Sequence, residues 1–433
     1  MERMAVAALE AWRASATRKP LVLRGVRQCG KTWLLRDFAR RHFAHEVYLN
    51  FEKEPILAGL FADDLDPHRI VRDISILRGE SIAAADTLII LDEVQACPAA
   101  LTALKYFCED APEYFVAAAG SLLGLAEHGE AGFPVGKVDF VDVYPMTFRE
   151  YLVAAGDEML ADYLGSLEPG QRVSPPLAAR AESSLREYLM VGGMPEAVAS
   201  WLAEHDVGRV EIIQQAILDS YALDMAKHAG RVGFPKLMAI WRSIPKQLSR
   251  ENRKFIFSQV IGGARAKDLE DALEWLVAAG IVAKVARVSQ PEIPLSAFAD
   301  DAFFKLYLVD VGLLRCLAGV PAAVVVAPSA SYRLFRGALV ENFVLNQLLA
   351  MGESAVYFWR SDNSAEVDFL LSIGSDVVPI EVKAESNTVS RSLAVYAARY
   401  NPVRTLKLSM KPTVNGHLPL YAAWYIRQYV QRL

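Results

Sequence analysis

Hydrophobic and polar residues follow two rhythms along this chain. Short apolar blocks that end in turn residues occur at 20–24 (PLVLR), 46–52 (EVYLNFE), 87–94 (TLIILDEV) and 114–121 (YFVAAAGS), each about a strand in length. TLIILDEV is apolar enough to be buried on both faces. Between the blocks, KTWLLRDFARRHF (31–43) and ALTALKYFCED (100–110) carry their apolar residues at helical spacing. Strands alternating with helices predict a parallel α/β sheet for this part.

From about Leu152 to Gly230 the spacing is helical, broken at SLEPGQRVSPP (166–176) and MVGGMPEA (190–197). Residues 235–288 read as a small helical unit ending in DLEDALEWLVAAGIVAKVARV, where helix, glycine turn and short strand follow one another as in a winged helix. SQPEIPLSAFADDA (289–302) reads as a connection, and FFKLYLVDVGLLRCLAG (303–319) returns to ordered structure. The last hundred residues predict a helix (GALVENFVLNQLLAMG) and three strands (SAVYFWRS, AEVDFLLSIG, VVPIEVKAE). A further helix (SRSLAVYAARYN) and strand (TLKLSM) complete a second α/β unit. The expected fold is multidomain α/β: a parallel-sheet domain in 1–152, a helical and winged-helix-like region in 153–300, and a second α/β domain in 301–433.

Composition narrows the class. A chain of 433 residues, 53% hydrophobic and 22% charged, is a globular protein with large cores. Its best apolar run, YFVAAAGSLLGLA, is too short to span a bilayer, so no membrane role is expected. The opening MERMAVAALEAWRAS carries acids where a secretory signal would not, which points to a cytoplasmic protein. Cys29, Cys97, Cys108 and Cys316 lack CxxC spacing, which argues against a zinc site. The net charge of −5 gives no global attraction to nucleic acid.

The strongest chemical signal is GVRQCGKT. Gly25, Val26, Arg27, Gln28, Cys29, Gly30, Lys31 and Thr32 satisfy G-x-x-x-x-G-K-[ST] between a strand and a helix, with Trp33 next. Glycines let backbone N–H groups curl around phosphate oxygens, and the helix N-terminus adds partial positive charge. Lys31 then reaches the β- and γ-phosphates of ATP, and the Thr32 hydroxyl helps hold Mg²⁺. LIILDEVQ ends a buried strand with Asp92, suited to Mg²⁺, and Glu93, suited to activating a water. Such an adjacent pair favours water activation over a small-molecule kinase. Gln95 follows, and Ser121 stands at the tip of the next strand, where a polar group can sense the γ-phosphate.

LVLRGVRQCGKTWLLR, LIILDEVQACP and YPMTFREYL, with YLMVGGMPEAV, KLYLVDVGLL and EVDFLL…IEVKAE, resemble a family of prokaryotic AAA-like ATPases. That family carries an uncharacterised C-terminal region related to the restriction endonucleases. The resemblance implies an AAA+-type core, Mg-ATP as ligand, and the roles above for Lys31, Thr32, Asp92 and Glu93. Relatives often carry Gly-Arg ahead of the YP segment, where this chain has Gly136-Lys137. Lysine lacks the bidentate fork of arginine, so no arginine finger is assigned. Arg24 and Arg149 are expected to be structural. A ring-forming homo-oligomer stays open.

Two further clusters bear on partners. Lys246, Arg250, Arg253, Lys254, Arg265 and Lys267 precede the EDALEWLVAAGIV helix, interleaved with Glu251, Asp268, Glu270 and Asp271. They fit a contact to DNA phosphates, a protein contact or a solvated face. Glu341 (helix), Asp368 (strand), Glu381 and Lys383 (next strand) follow the order of the PD-(D/E)XK nuclease pattern. In that pattern Asp368 and Glu381 ligate Mg²⁺, Glu341 completes the site, and Lys383 orients water and offsets phosphate charge. A charged pair satisfied within the sheet is the competing reading. The chain is therefore expected to be an ATPase coupled to a nuclease-like domain acting on DNA or RNA. The alternative is a nucleotide-dependent switch whose C-terminal domain binds a protein partner and cuts nothing.

Overall fold

In the computed structural model the described residues are 1–433 except 122–133, 135, 231–232, 251–252, 327–332, 354, 362–364, 385–389 and 411–415, with His228, Arg333 and Leu334 described by backbone alone. Glu251, and Glu385 at the end of VVPIEVKAE, lie outside the described residues, as does the second half of YFVAAAGSLLGLA. The chain divides into a unit of Glu2–Tyr144 with Ala278–Gly280, and a larger unit of Pro145–Val277 with Ile281–Leu433.

The first unit is built on β1 (Leu21–Arg24), β2 (His45–Asn50), β3 (Thr87–Asp92), β4 (Phe115–Ala119) and β5 (Asp139–Asp142). They lie in the order β2-β3-β4-β1-β5, and every neighbouring pair is parallel. All six residues of β3 are buried, as its unbroken apolar run requires of a central strand covered on both faces. Helix α1 (Ala5–Ala14) precedes β1, and helices α2 (Lys31–His42), α3 (Pro67–Arg78) and α4 (Pro98–Asp110) supply the cover. Val22, Val47, Leu49, Ile89, Leu91, Val116 and Ala118 pack with Ile70, Ile74, Leu101, Leu104 and Phe107 in one core. α3 and α4 both begin with proline, whose missing N–H costs nothing at that position, and the Asp66 carboxylate caps α3 by accepting from His68 N.

The larger unit centres on a seven-stranded mixed sheet: β6 (Val282–Val288), β7 (Ala299–Leu308), β8 (Tyr357–Arg360), β9 (Glu366–Ile373), β10 (Asp376–Val382), β11 (Leu406–Ser409) and β12 (His417–Pro419). Their order is β12-β11-β10-β9-β8-β6-β7. β9 and β10 form an antiparallel hairpin closed at Ile373↔Asp376, and β10 pairs parallel with β11 after the Arg391–Tyr400 helix. Helices Pro175–Val191, Pro195–Glu204, Val207–His228 and Phe234–Leu248 account for the helical stretch. Its break at MVGGMPEA has a cause: a Cβ on Gly192 (φ 76°) would stand 2.2 Å from Asp310 Oδ1.

The boundary expected between 300 and 301 falls inside β7, and the expected wing strand is β6, paired antiparallel with β7 and parallel with β8. β6 buries Val282, Val285 and Val288 and so needs a sheet to lie in. The helical region also packs on the C-terminal region. The Phe148 ring packs on Tyr151, Tyr188, Phe343 and Trp424, and its backbone N–H donates to Gln347 Oε1 at 2.9 Å.

Candidate nucleotide site and C-terminal carboxylates

The loop between β1 and α2 has the shape its glycines predict. Gly25 has φ 148°, Gln28 φ 65° and Gly30 φ 94°, and a Cβ on Gly25 would meet Val143 O at 2.2 Å. Only glycine fits there. Val26 and Cys29 face the interior, while Trp33 is 41% exposed. Arg27 Nη2 stands 3.9 Å from Glu52. Lys31 is buried, and its ammonium donates to Gly25 O and Val26 O at 2.8 Å each. A charge resting on two neutral carbonyls suits an anion entering the loop.

Asp92, at the tip of β3, gathers the polar groups around it. Thr32 Oγ1 donates to its carboxylate, 3.1 Å from each oxygen. Tyr48 Oη donates to Oδ2 at 2.6 Å and Asn50 Nδ2 at 3.1 Å. Burial, then the bond to Asp92, pushes the Tyr48 phenol up to about 12, so it stays a donor at neutral pH. Glu93 takes a left-handed conformation (φ 50°, ψ 44°), which turns the chain sharply off the strand. Gln95 Nε2 donates to Glu93 Oε2 at 2.6 Å and lies 3.4 Å from Ser121 Oγ, while Gln95 Oε1 is buried without a hydrogen bond. Gln95 thus links Glu93, just past the end of β3, to Ser121, just past the end of β4. These donors fit Mg-ATP: an anion cradle that a side chain would fill, a hydroxyl and carboxylate side by side, and one unspent polar atom.

Reading the residues in order missed Tyr48, Asn50 and Arg3. Tyr48 and Asn50 are polar at alternate positions of β2, hence on one side of it, and Asn50 is in register with Asp92. Buried Arg3 donates to Cys29 O at 3.0 Å and to Tyr144 O at 2.6 Å. Arg24 pairs with Asp142 through Nε at 2.8 Å and Nη2 at 2.9 Å. Arg149 pairs with Asp162 at 3.0 Å and Lys137 with Glu109 at 2.9 Å.

In the larger unit the β9–β10 hairpin brings Asp368 and Glu381 onto neighbouring strands. Asp368 Oδ2 accepts from Val382 N at 2.8 Å, and Lys383 Nζ lies 2.5 Å from Glu381 Oε1. Glu381 Oε2 is buried without a hydrogen bond. Burial, then the charge of Asp368, pushes the Glu381 carboxyl up to about 7. Glu341 pairs with Arg253, lies 3.9 Å from Lys305 Nζ, and accepts from Tyr307 Oη at 3.2 Å. Lys305 in turn meets Glu366 at 2.5 Å. Burial alone would lower its ammonium, but nearby anionic groups, Glu366 and Asp368 among them, hold it raised. Among the described residues no three acids, cysteines or histidines group as a metal site.

The basic residues of the middle region also separate. Arg253 turns to Glu341, Lys254 Nζ sits 4.1 Å from the Phe303 ring centroid, and Arg250 pairs with Gln259. Among the described residues no helix is long and apolar enough to cross a membrane.

Residues 17–152 match the AAA domain family, residues 182–323 a domain of unknown function (DUF8612), and residues 336–415 another (DUF4143). Uncharacterised proteins of Mycobacterium bovis and Mycobacterium tuberculosis are each 32% identical over 91 residues, 21% of this chain. The match spans 20% of those relatives' length. Among solved structures, a Walker-type ATPase of Pyrococcus abyssi is 16% identical, covering 72% of this chain and 94% of that one at a TM-score of 0.44. The Aeropyrum pernix ORC1 protein, solved with DNA, is 13% identical, covering 74% and 92% at 0.28. The P-loop, the Asp92-Glu93 strand end and the AAA match make the N-terminal region an AAA-like P-loop ATPase domain.

Proposed function

We propose that this chain binds and hydrolyses Mg-ATP and couples that cycle to a restriction-endonuclease-like unit acting on nucleic acid. The observation that carries the ATPase half is the Thr32–Asp92 contact beside the Lys31 cradle. Thr32 and Asp92 would hold Mg²⁺, which when bound offsets charge building on the phosphates. The backbone from Gly25 to Trp33 holds the phosphates, and Lys31 leaves its loop carbonyls for them. Glu93 accepts a proton from the attacking water, and Gln95 and Ser121 orient it.

For the larger unit, the hairpin that sets Asp368 beside Glu381 and Lys383 supports a nuclease-like core. One specific observation favours the second reading, a unit that binds a partner without cutting: Glu341 is neutralised by Arg253 and Lys305. Wild-type and Asp368→Ala proteins incubated with labelled DNA and RNA, Mg²⁺ or Mn²⁺, with and without ATP, separate the two. Cleavage by wild type that Asp368→Ala abolishes supports the nuclease. Equal cleavage by both, or none under any condition, favours binding alone.

A further inference from the structure

β7 carries a feature that the ATPase cycle leaves unused. The half-buried Phe303 ring is surrounded by three cations: Lys254 Nζ at 4.1 Å, Arg287 Cζ at 4.4 Å and Arg360 Cζ at 5.9 Å from its centroid. Phe358 lies beside it at 5.9 Å, with Lys305 Nζ 4.7 Å from that second ring. They come from four places: the 250s segment, β6, β7 and β8. Only the folded sheet assembles them.

Like charges gathered this closely repel, and a ring face returns only a small part of that cost to an exposed cation. The neighbouring acids answer part of the charge. Asp300 takes Arg287 at 2.5 Å, and Glu366 takes Lys305 at 2.5 Å and Arg360 at 3.5 Å, while Asp301 stands exposed nearby. The carboxylates of Asp300 and Glu366 each meet one edge of a guanidinium that has five N–H donors. Such donors, held in fixed directions by rings, suit phosphate oxygens. Spread around a ring, they face several phosphates instead of closing on one.

We propose that this face grips the phosphodiester backbone of nucleic acid, a reading that rests on the nucleic-acid function proposed above. The patch adjoins the carboxylate pair, because Lys305 bridges from Phe358 to Glu366, two residues before Asp368 on β9. A strand held around Phe303 is led toward Asp368 and Glu381.

The test is fluorescence anisotropy of labelled 20-mer oligonucleotides, single-stranded and duplex, titrated with the full chain at several salt concentrations. A Lys254→Gln/Arg287→Gln/Arg360→Gln protein should bind at least tenfold more weakly at low salt. The slope of log affinity against log salt should flatten by about 0.7–0.9 for each phosphate no longer neutralised. Phe303→Leu, which keeps an apolar side chain but releases the cations from the ring, should weaken binding about threefold and guards against misfolding of the triple variant. Wild type that binds neither oligonucleotide overturns the nucleic-acid reading itself. Wild-type binding that the triple variant and Phe303→Leu both match in affinity and slope overturns the patch alone. Displacement of the oligonucleotide by low-millimolar inorganic phosphate would overturn the backbone assignment in favour of an isolated phosphate site.

Discussion

Replacing Asp92 with asparagine separates two jobs of one carboxylate. Folding needs an acceptor for Tyr48 Oη at 2.6 Å and Asn50 Nδ2 at 3.1 Å; the proposed chemistry needs a negative charge beside Thr32. Asparagine keeps a carbonyl oxygen for Tyr48 and Asn50 and turns its amide to Thr32, whose hydroxyl can accept. Neutral bonds then replace charge-assisted ones, at a cost of about 1–2 kcal/mol. Asp92→Ala would remove the acceptor of Thr32, Tyr48 and Asn50, of which Asn50 keeps Tyr48 Oη, and cost about 2–6 kcal/mol. The Tyr48 phenol, raised partly by its bond to Asp92, should titrate lower in Asp92→Asn while burial keeps it above an ordinary tyrosine. The assays are urea unfolding, nucleotide binding with and without Mg²⁺, and phosphate release. Asp92→Asn should fold, bind metal-free nucleotide within about threefold of wild type, and lose the Mg²⁺ dependence of binding. Hydrolysis should fall at least about 100-fold, roughly 3 kcal/mol of barrier. Hydrolysis with wild-type Mg²⁺ dependence in this variant would refute the assignment.

Glu93→Gln keeps an oxygen for Gln95 but loses the proton acceptor, so binding should persist while hydrolysis slows at least about tenfold; normal turnover would remove Glu93 from its role. Buried Asp310 accepts from Gly193 N and Leu313 N, and burial pushes its carboxyl up to about 6. The folded chain therefore holds a proton between about pH 4 and 6 that the unfolded chain releases, and stability falls as pH rises through that window. Denaturation midpoints at pH 4.5 and 6.5 should show the wild-type advantage over Asp310→Asn shrinking by on the order of 2 kcal/mol. An advantage that grows with pH would contradict the sign.

Much of the candidate nucleotide site was legible because phosphate binding fixes the residue type at four positions, Gly25, Gly30, Lys31 and Thr32, within a span of eight. Asp92 and Glu93 were legible for a related reason: an apolar run ending in two acids marks a strand tip. Tyr48 and Asn50 were not, since they reach Asp92 through the β2–β3 register, 42 residues apart for Asn50. The sequence DLEDALEWLVAAGIVAKVARV reads the same whether its strand forms a small wing or joins a large sheet. Only pairing with β8, some 70 residues on, decides that. Glu381 and Lys383, two apart on one strand, were readable as neighbours. Whether the Glu341 carboxylate meets them or Arg253 depends on packing that no local spacing encodes.

The most direct measurement is phosphate release from Mg-ATP by the full chain, alongside equilibrium binding of a fluorescent ATP analogue, for wild type and Lys31→Ala. Lys31 contributes the one ammonium seated in the loop, on Gly25 O and Val26 O. Wild type should bind and hydrolyse ATP, and Lys31→Ala should lose at least about 100-fold in both, as expected when a charged phosphate contact disappears. A wild-type chain that neither binds nor turns over ATP, or a Lys31→Ala chain that does so normally, would contradict the proposed binding and hydrolysis of Mg-ATP.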